Sequence, residues 1–153
     1  MQETGSMDEW SSDRAIKPLR APPEGYETVG TVLYPYTVYS LRVGVRRLRG
    51  EPLQLRLIVY VDMVRAKGLL GDAMPETVEA PRGAERIPAR LSPQQALRLA
   101  RRTTIYFLMR KFRIGLPPII EVEEEERAYK IFLLVEGGGR HVFDTLTGVL
   151  EPL

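Results

Sequence analysis

Tyr36-Thr37-Val38-Tyr39-Ser40-Leu41 and, further on, Val59-Tyr60-Val61-Asp62-Met63-Val64-Arg65-Ala66 are the stretches whose reading decides the fold. A second, shorter copy closes the chain: Tyr129-Lys130-Ile131-Phe132-Leu133-Leu134, then His141-Val142-Phe143-Asp144-Thr145-Leu146-Thr147-Gly148. Each copy has an aromatic-led alternating strand, a return strand and an Asp where the return strand turns. Alternation with period two, in Tyr, Val and Thr, is the pattern of a pleated, half-buried surface. The repeat predicts two kindred strand pairs, over 34–70 and 119–150, in one antiparallel sheet. An Asp carboxylate at such a turn accepts nearby backbone N–H groups, and Gly148 takes a positive φ without steric cost.

Outward from the first copy, residues 27–46 alternate but are interrupted by Pro35, which cannot donate to a ladder and predicts a bend between two short strands. The return strand from Leu53 becomes apolar on both faces at Ile58-Val59-Tyr60-Val61, as a strand covered on both sides does. Residues 68–91 are rich in Gly and Pro and show little period, which predicts a crossing strap without regular structure. Residues 1–25 are polar and proline-broken, and predict a flexible arm ahead of a single domain at 26–153.

Ser92-Pro93-Gln94-Gln95 is the clearest helix start in the chain, with Ser92 as N-cap, Pro93 at the first position and Gln95 placed for a capping box. The helix is expected to run to about Phe112, ahead of Gly115 and Pro117-Pro118, burying Leu97, Ala100, Thr104, Leu108 and Phe112. One long helix lying on a sheet of two strand pairs predicts an α+β domain.

The bulk numbers exclude more than they assign. At 153 residues with a formal net charge of +2, composition makes no case for a polyanion-binding protein. The absence of cysteine removes disulfides, thiolate metal sites and cysteine nucleophiles. No apolar run reaches the roughly 20 residues of a membrane span, and the polar N-terminus lacks an export pattern, so a cytoplasmic protein is expected.

A long helix, three strands and a final Asp-x-x-Thr-Gly turn together resemble the PepSY domain, a small α+β module, over residues 92–150. The resemblance is carried by the helix, by Tyr129-Lys130-Ile131-Phe132 and by Val142-Phe143-Asp144-Thr145-Leu146-Thr147-Gly148-Val149-Leu150. The first copy looks like the same strand pair with Ala66 standing where Gly148 stands. The resemblance implies a regulator of a hydrolase and supplies no catalytic residues; such modules commonly act outside the cytoplasm, where this chain's N-terminus does not point.

No catalytic constellation is present, and a non-enzymatic protein-interaction or scaffold module is expected, without cofactor, metal or small-molecule ligand. Asp62 and Asp144 read as turn caps rather than as an acid/base pair. A lone His141 cannot build a zinc site. Catalysis would require the 68–91 strap to form a pocket with Asp62, Asp72 or Glu76. The acidic run Glu121, Glu123, Glu124, Glu125 and Glu126 is expected to pair with Arg42, Arg46, Arg47 or Arg56 on a neighbouring strand. The broad apolar zone of the helix makes Ile105, Tyr106 and Met109 expected homodimer contacts. Arg98, Arg101, Arg102, Arg110, Lys111 and Arg113, with no acid between Arg98 and Arg113, form the alternative surface, for nucleic acid or another partner. Arg46, Arg47 and Arg49 would add to it and Tyr106 would stack on a base.

Overall fold

The computed structural model describes residues 9–153. Strands β1 (Arg14–Ile16), β2 (Glu27–Val45), β3 (Leu53–Asp62), β4 (Lys67–Gly71), β5 (Thr77–Glu79) and β6 (Glu85–Arg86) precede helix α1 (Pro93–Lys111). Strands β7 (Ile119–Glu136), β8 (Arg140–Asp144) and β9 (Leu150–Pro152) follow it. The nine strands hydrogen-bond in the order β4-β3-β2-β7-β1-β5, with β6 on β2, β8 on β7 and β9 on β8.

This corrects the expected α+β fold with an antiparallel sheet. Strand makes up 48% and helix 13%, so the fold is sheet-dominated, and the sheet is mixed. β1 runs parallel to β7 through Ala15 and Tyr129, and β6 runs parallel to β2 through Val32–Glu85 and Leu33–Arg86. The physical reason is that β2 and β7 are long, 19 and 18 residues, and their edges recruit short pieces of backbone that carry no period of their own. The 68–91 stretch, expected to be irregular, thus contains most of β4 and all of β5 and β6. Strand β1 lies inside the stretch expected as an arm, of which residues 1–8 fall outside the described residues. Proline is tolerated in extended backbone because its φ, fixed at about −65°, still lies within the broad β region, and β2 passes through Pro35 unbroken.

The chain divides into two compact units. The first gathers residues 9–10, 37–74 and 90–126; the second gathers residues 11–36, 75–89 and 127–153. β2 and β7 each contribute to both.

In the first unit the core is Val38, Tyr39, Leu41, Val43 and Val45 of β2, Ile58, Val59 and Val61 of β3, Met63, and Ala96, Ala100 and Leu108 of α1. Residues 37–41 are buried without a break, as backbone covered on both faces must be. Helix α1 forms with the capping box its sequence predicts: Gln95 N–H donates to Ser92 Oγ, and Ser92 N–H to Gln95 Oε1, at 3.1 and 2.8 Å. It packs on β3 and β4 through Ala96, Ala100, Thr104 and Leu108, four residues apart. The Thr104 hydroxyl satisfies itself on the Ala100 carbonyl at 2.9 Å. Leu97 and Phe112, expected in this stripe, are half-buried. Gly68 of β4 lies so close to Thr103 that a side chain there would overlap its hydroxyl.

In the second unit the core is Ala15, Ile16, Leu33, Ala128, Tyr129, Ile131, Val135 and Phe143. One charged pair is sunk beside it. Lys130 Nζ lies 2.7 Å from Asp144 Oδ2, both side chains 14% exposed, and 4.9 Å from the centre of the Phe132 ring.

The two turns repeat in detail. Asp62 Oδ1 accepts from Val64 and Arg65 N–H, and the Asp62 carbonyl from Ala66 N–H. Asp144 Oδ1 accepts from Leu146 and Thr147 N–H, and its carbonyl from Gly148 N–H. The next carbonyl, of Met63 or Thr145, then takes two consecutive N–H groups from a strap: Arg90 and Leu91 in the first unit, Leu19 and Arg20 in the second. The straps correspond as Ile16-Lys17-Pro18-Leu19-Arg20-Ala21-Pro22 and Ile87-Pro88-Ala89-Arg90-Leu91-Ser92-Pro93. This correspondence equates Ala15 with Arg86, whose ladder partners are Tyr129 and Leu33. Tyr36 therefore matches Phe132, three residues on from the Tyr129 that the aromatic-led pattern suggests.

Candidate nucleic-acid interface

Four residues along an α-helix return the chain to nearly the same face, and two residues turn it about 200°. The buried row at 96, 100, 104 and 108 therefore dictates that the row at 98, 102, 106 and 110 looks directly away from the sheet. That row reads Arg98, Arg102, Tyr106, Arg110, and all four are exposed. Tyr106 is 58% and Met109 63% exposed. Arg101 and Met109 flank the row, Ile105 is half-buried beside it, and no Asp or Glu interrupts the helix. Among the described residues none of Arg98, Arg101, Arg102, Arg110, Lys111 or Arg113 is in an ion pair.

Beyond the row, and lined by none of its members, a cleft of about 640 Å³ is formed by Arg47, Leu48, Arg49, Lys111, Phe112 and Arg113. The β2–β3 hairpin supplies the first three and the end of α1 the rest. A single antiparallel bridge, Arg47 to Ile114, ties the two segments together. Arg47 is steadied by donation from its Nε to the Glu51 carbonyl at 3.0 Å. Lys111 Nζ stands 5.7 Å over the Phe107 ring.

Two members of the acidic run, Glu121 and Glu123, pair with arginines that the sequence suggests. Arg42 reaches Glu121 at 3.3 Å and Glu123 at 3.7 Å, and Arg56 reaches Glu123 at 2.9 Å. Arg47, another expected partner, lines the cationic cleft instead.

A second cleft in the first unit, about 520 Å³, is lined by Asp72, Glu123, Glu124 and Arg56 among others. Asp62 caps its turn and does not line this cleft, and Glu76 pairs with Lys17 in the second unit at 3.9 Å. The three carboxyls considered for catalysis are thus not assembled there. Beside Asp72, the Tyr60 phenol is pushed above its usual range by burial and by that carboxylate, and it donates to the Ala73 carbonyl at 2.9 Å. His141 packs edge-on against Tyr26, ring centres 5.4 Å apart. Among the described residues no group of three His, Cys, Asp or Glu is arranged to hold a metal ion, and no helix is long and apolar enough to cross a membrane.

Sequence reasoning found the cations but spread them over more than one face; Arg101 and Lys111 do lie off the row. The hidden signal was the four-residue spacing of Arg98, Arg102, Tyr106 and Arg110, which means little until the buried row is known. It also missed the Lys130–Asp144 pair, signalled only by a single cation inside an apolar strand. Comparison with protein-family models, curated proteins and solved structures finds no match.

Proposed function

We propose that the protein is a non-enzymatic module that binds single-stranded nucleic acid along the outward face of α1. One observation carries the reading: Arg98, Arg102 and Arg110 share a helix row with exposed Tyr106, without acidic partners among the described residues. Rows of cations give polyanion affinity, and an aromatic ring among them gives a base a surface to stack on. Successive row positions are about 6 Å apart along the axis, so the row lies along a strand's backbone rather than at a point. The direct test is fluorescence anisotropy of a labelled single-stranded oligonucleotide at low salt. Binding that falls steeply with salt, and weakens on Tyr106→Ala, is the expected result; no binding at low salt ends the proposal.

The exposure of Tyr106 and Met109 favours a second reading, a homodimer joined through Ile105, Tyr106 and Met109. Light scattering separates the two. A stable dimer lost on Met109→Glu supports self-association, and a monomer that binds the oligonucleotide supports the first reading.

A further inference from the structure

Apart from the outward row, four more cations gather around a concavity at the end of α1. We infer that the cleft between the β2–β3 hairpin and the end of α1 takes a terminal phosphate monoester of the nucleic-acid strand, an inference that rests on the reading above. Arg47 and Arg49 approach from one side, Lys111 and Arg113 from the other, and no carboxylate lines the space. Four like charges gathered around about 640 Å³ raise the local positive potential, which an anion among them would relieve. The Arg47–Ile114 bridge keeps the two backbone segments side by side.

A monoester fits this site better than an internal diester. Near neutral pH it carries between one and two negative charges and three acceptor oxygens, whereas a backbone diester carries one charge. Guanidinium forks bind such oxygens bidentately. The carbonyls at the end of a helix contribute about half a negative charge, which four cations outweigh. Leu48 and the half-buried Phe112 give the same cleft an apolar wall, against which the terminal base can lie. An internal phosphate would have to bring a strand in and out of the concavity; an end enters once.

The experiment compares short oligonucleotides of one sequence, bearing a 5′-phosphate, a 3′-phosphate or no terminal phosphate, by anisotropy with the full chain. One phosphorylated end is expected to bind about tenfold tighter than the unmodified strand, the usual scale of an added charge-assisted contact. Which end shows the gain identifies the source of the phosphate. Arg49→Ala with Arg113→Ala is expected to erase the difference between the strands, over and above any weakening common to all three, and both exposed substitutions are checked for folding by thermal melts. Equal binding of all three strands overturns the inference and leaves the broader function standing. Failure of every strand to bind removes both.

Discussion

Ala66 and Gly148 occupy the same position in two copies of one turn. Both have positive φ, +59° and +80°, and the N–H of each donates to the carbonyl of an Asp four residues before it. Among the described residues Ala66 is the one non-glycine residue with positive φ. For an L-residue that conformation costs roughly 1–2 kcal/mol, and the turn tolerates it because Asp62 fixes the preceding N–H groups.

Ala66→Gly should therefore stabilise the protein, by about 0.5–1 kcal/mol after the extra chain entropy of glycine is subtracted. Gly148→Ala should cost about 1 kcal/mol, since its new methyl would meet only the Arg20 side chain at ordinary contact distance. Denaturant midpoints check both, and an Ala66→Gly protein that is less stable would contradict the equivalence.

Asp144 should govern the acid limb of stability. Burial alone would raise its carboxyl, but the Lys130 hydrogen bond, the N–H groups of Leu146 and Thr147 and the Lys130 charge outweigh it and hold the group below its usual range. A folded-state pKa below the unfolded one adds stability above the unfolded value, near 3.9, that is lost as pH falls through the lower folded value. Asp144→Asn should flatten that limb. Asp144→Ala, which also orphans Lys130 and two N–H groups, should cost about 2–3 kcal/mol at neutral pH. Melts across acidic pH test this; an unchanged limb in Asp144→Asn would refute it.

Tyr60 should act at the alkaline end. Its raised phenol favours the neutral folded form, so its contribution is complete below the ordinary tyrosine pKa of about 10 and fades as pH climbs through the higher folded value. Tyr60→Phe should lose about 1 kcal/mol near neutral pH with the bond to Ala73 and show a shallower alkaline decline. The same alkaline decline in the variant would show that Tyr60 is not responsible.

Gly68 should report how α1 seats on β4. A methyl there would overlap the Thr103 hydroxyl, which is side chain and can be removed. Gly68→Ala should cost about 1–3 kcal/mol, and Thr103→Ala in that background should recover part of the loss. Strictly additive effects of the two substitutions would mean that these residues do not touch.

The parts legible in the sequence were those with local chemistry. Ser92, Pro93 and Gln95 announced the start of α1, and Asp62 and Asp144 announced their turns, because caps act within four residues. The Arg42, Arg56 and Glu123 cluster was legible from opposed charge. The sheet's true extent was not. β1, β5 and β6 are two or three residues long, and they pair with partners far away in sequence: β1 with β7, β6 with β2 and β5 with β1. Pro35 misled for a related reason, since one missing donor breaks a strand only where a neighbour needs it. The exposed Arg98, Arg102, Tyr106, Arg110 row was half legible: its residues were evident, and their common direction became evident only once Ala96, Ala100, Thr104 and Leu108 defined the inside of α1.

The most direct test of the central claim is the dependence of oligonucleotide affinity on salt, measured for the wild type and for Arg98→Ala/Arg102→Ala/Arg110→Ala. Each phosphate neutralised on a single strand contributes about 0.7 to the slope of log affinity against log salt. The account predicts a slope shallower by about two in the triple variant, with thermal stability unchanged because these side chains are exposed. An identical slope in the two proteins would contradict it.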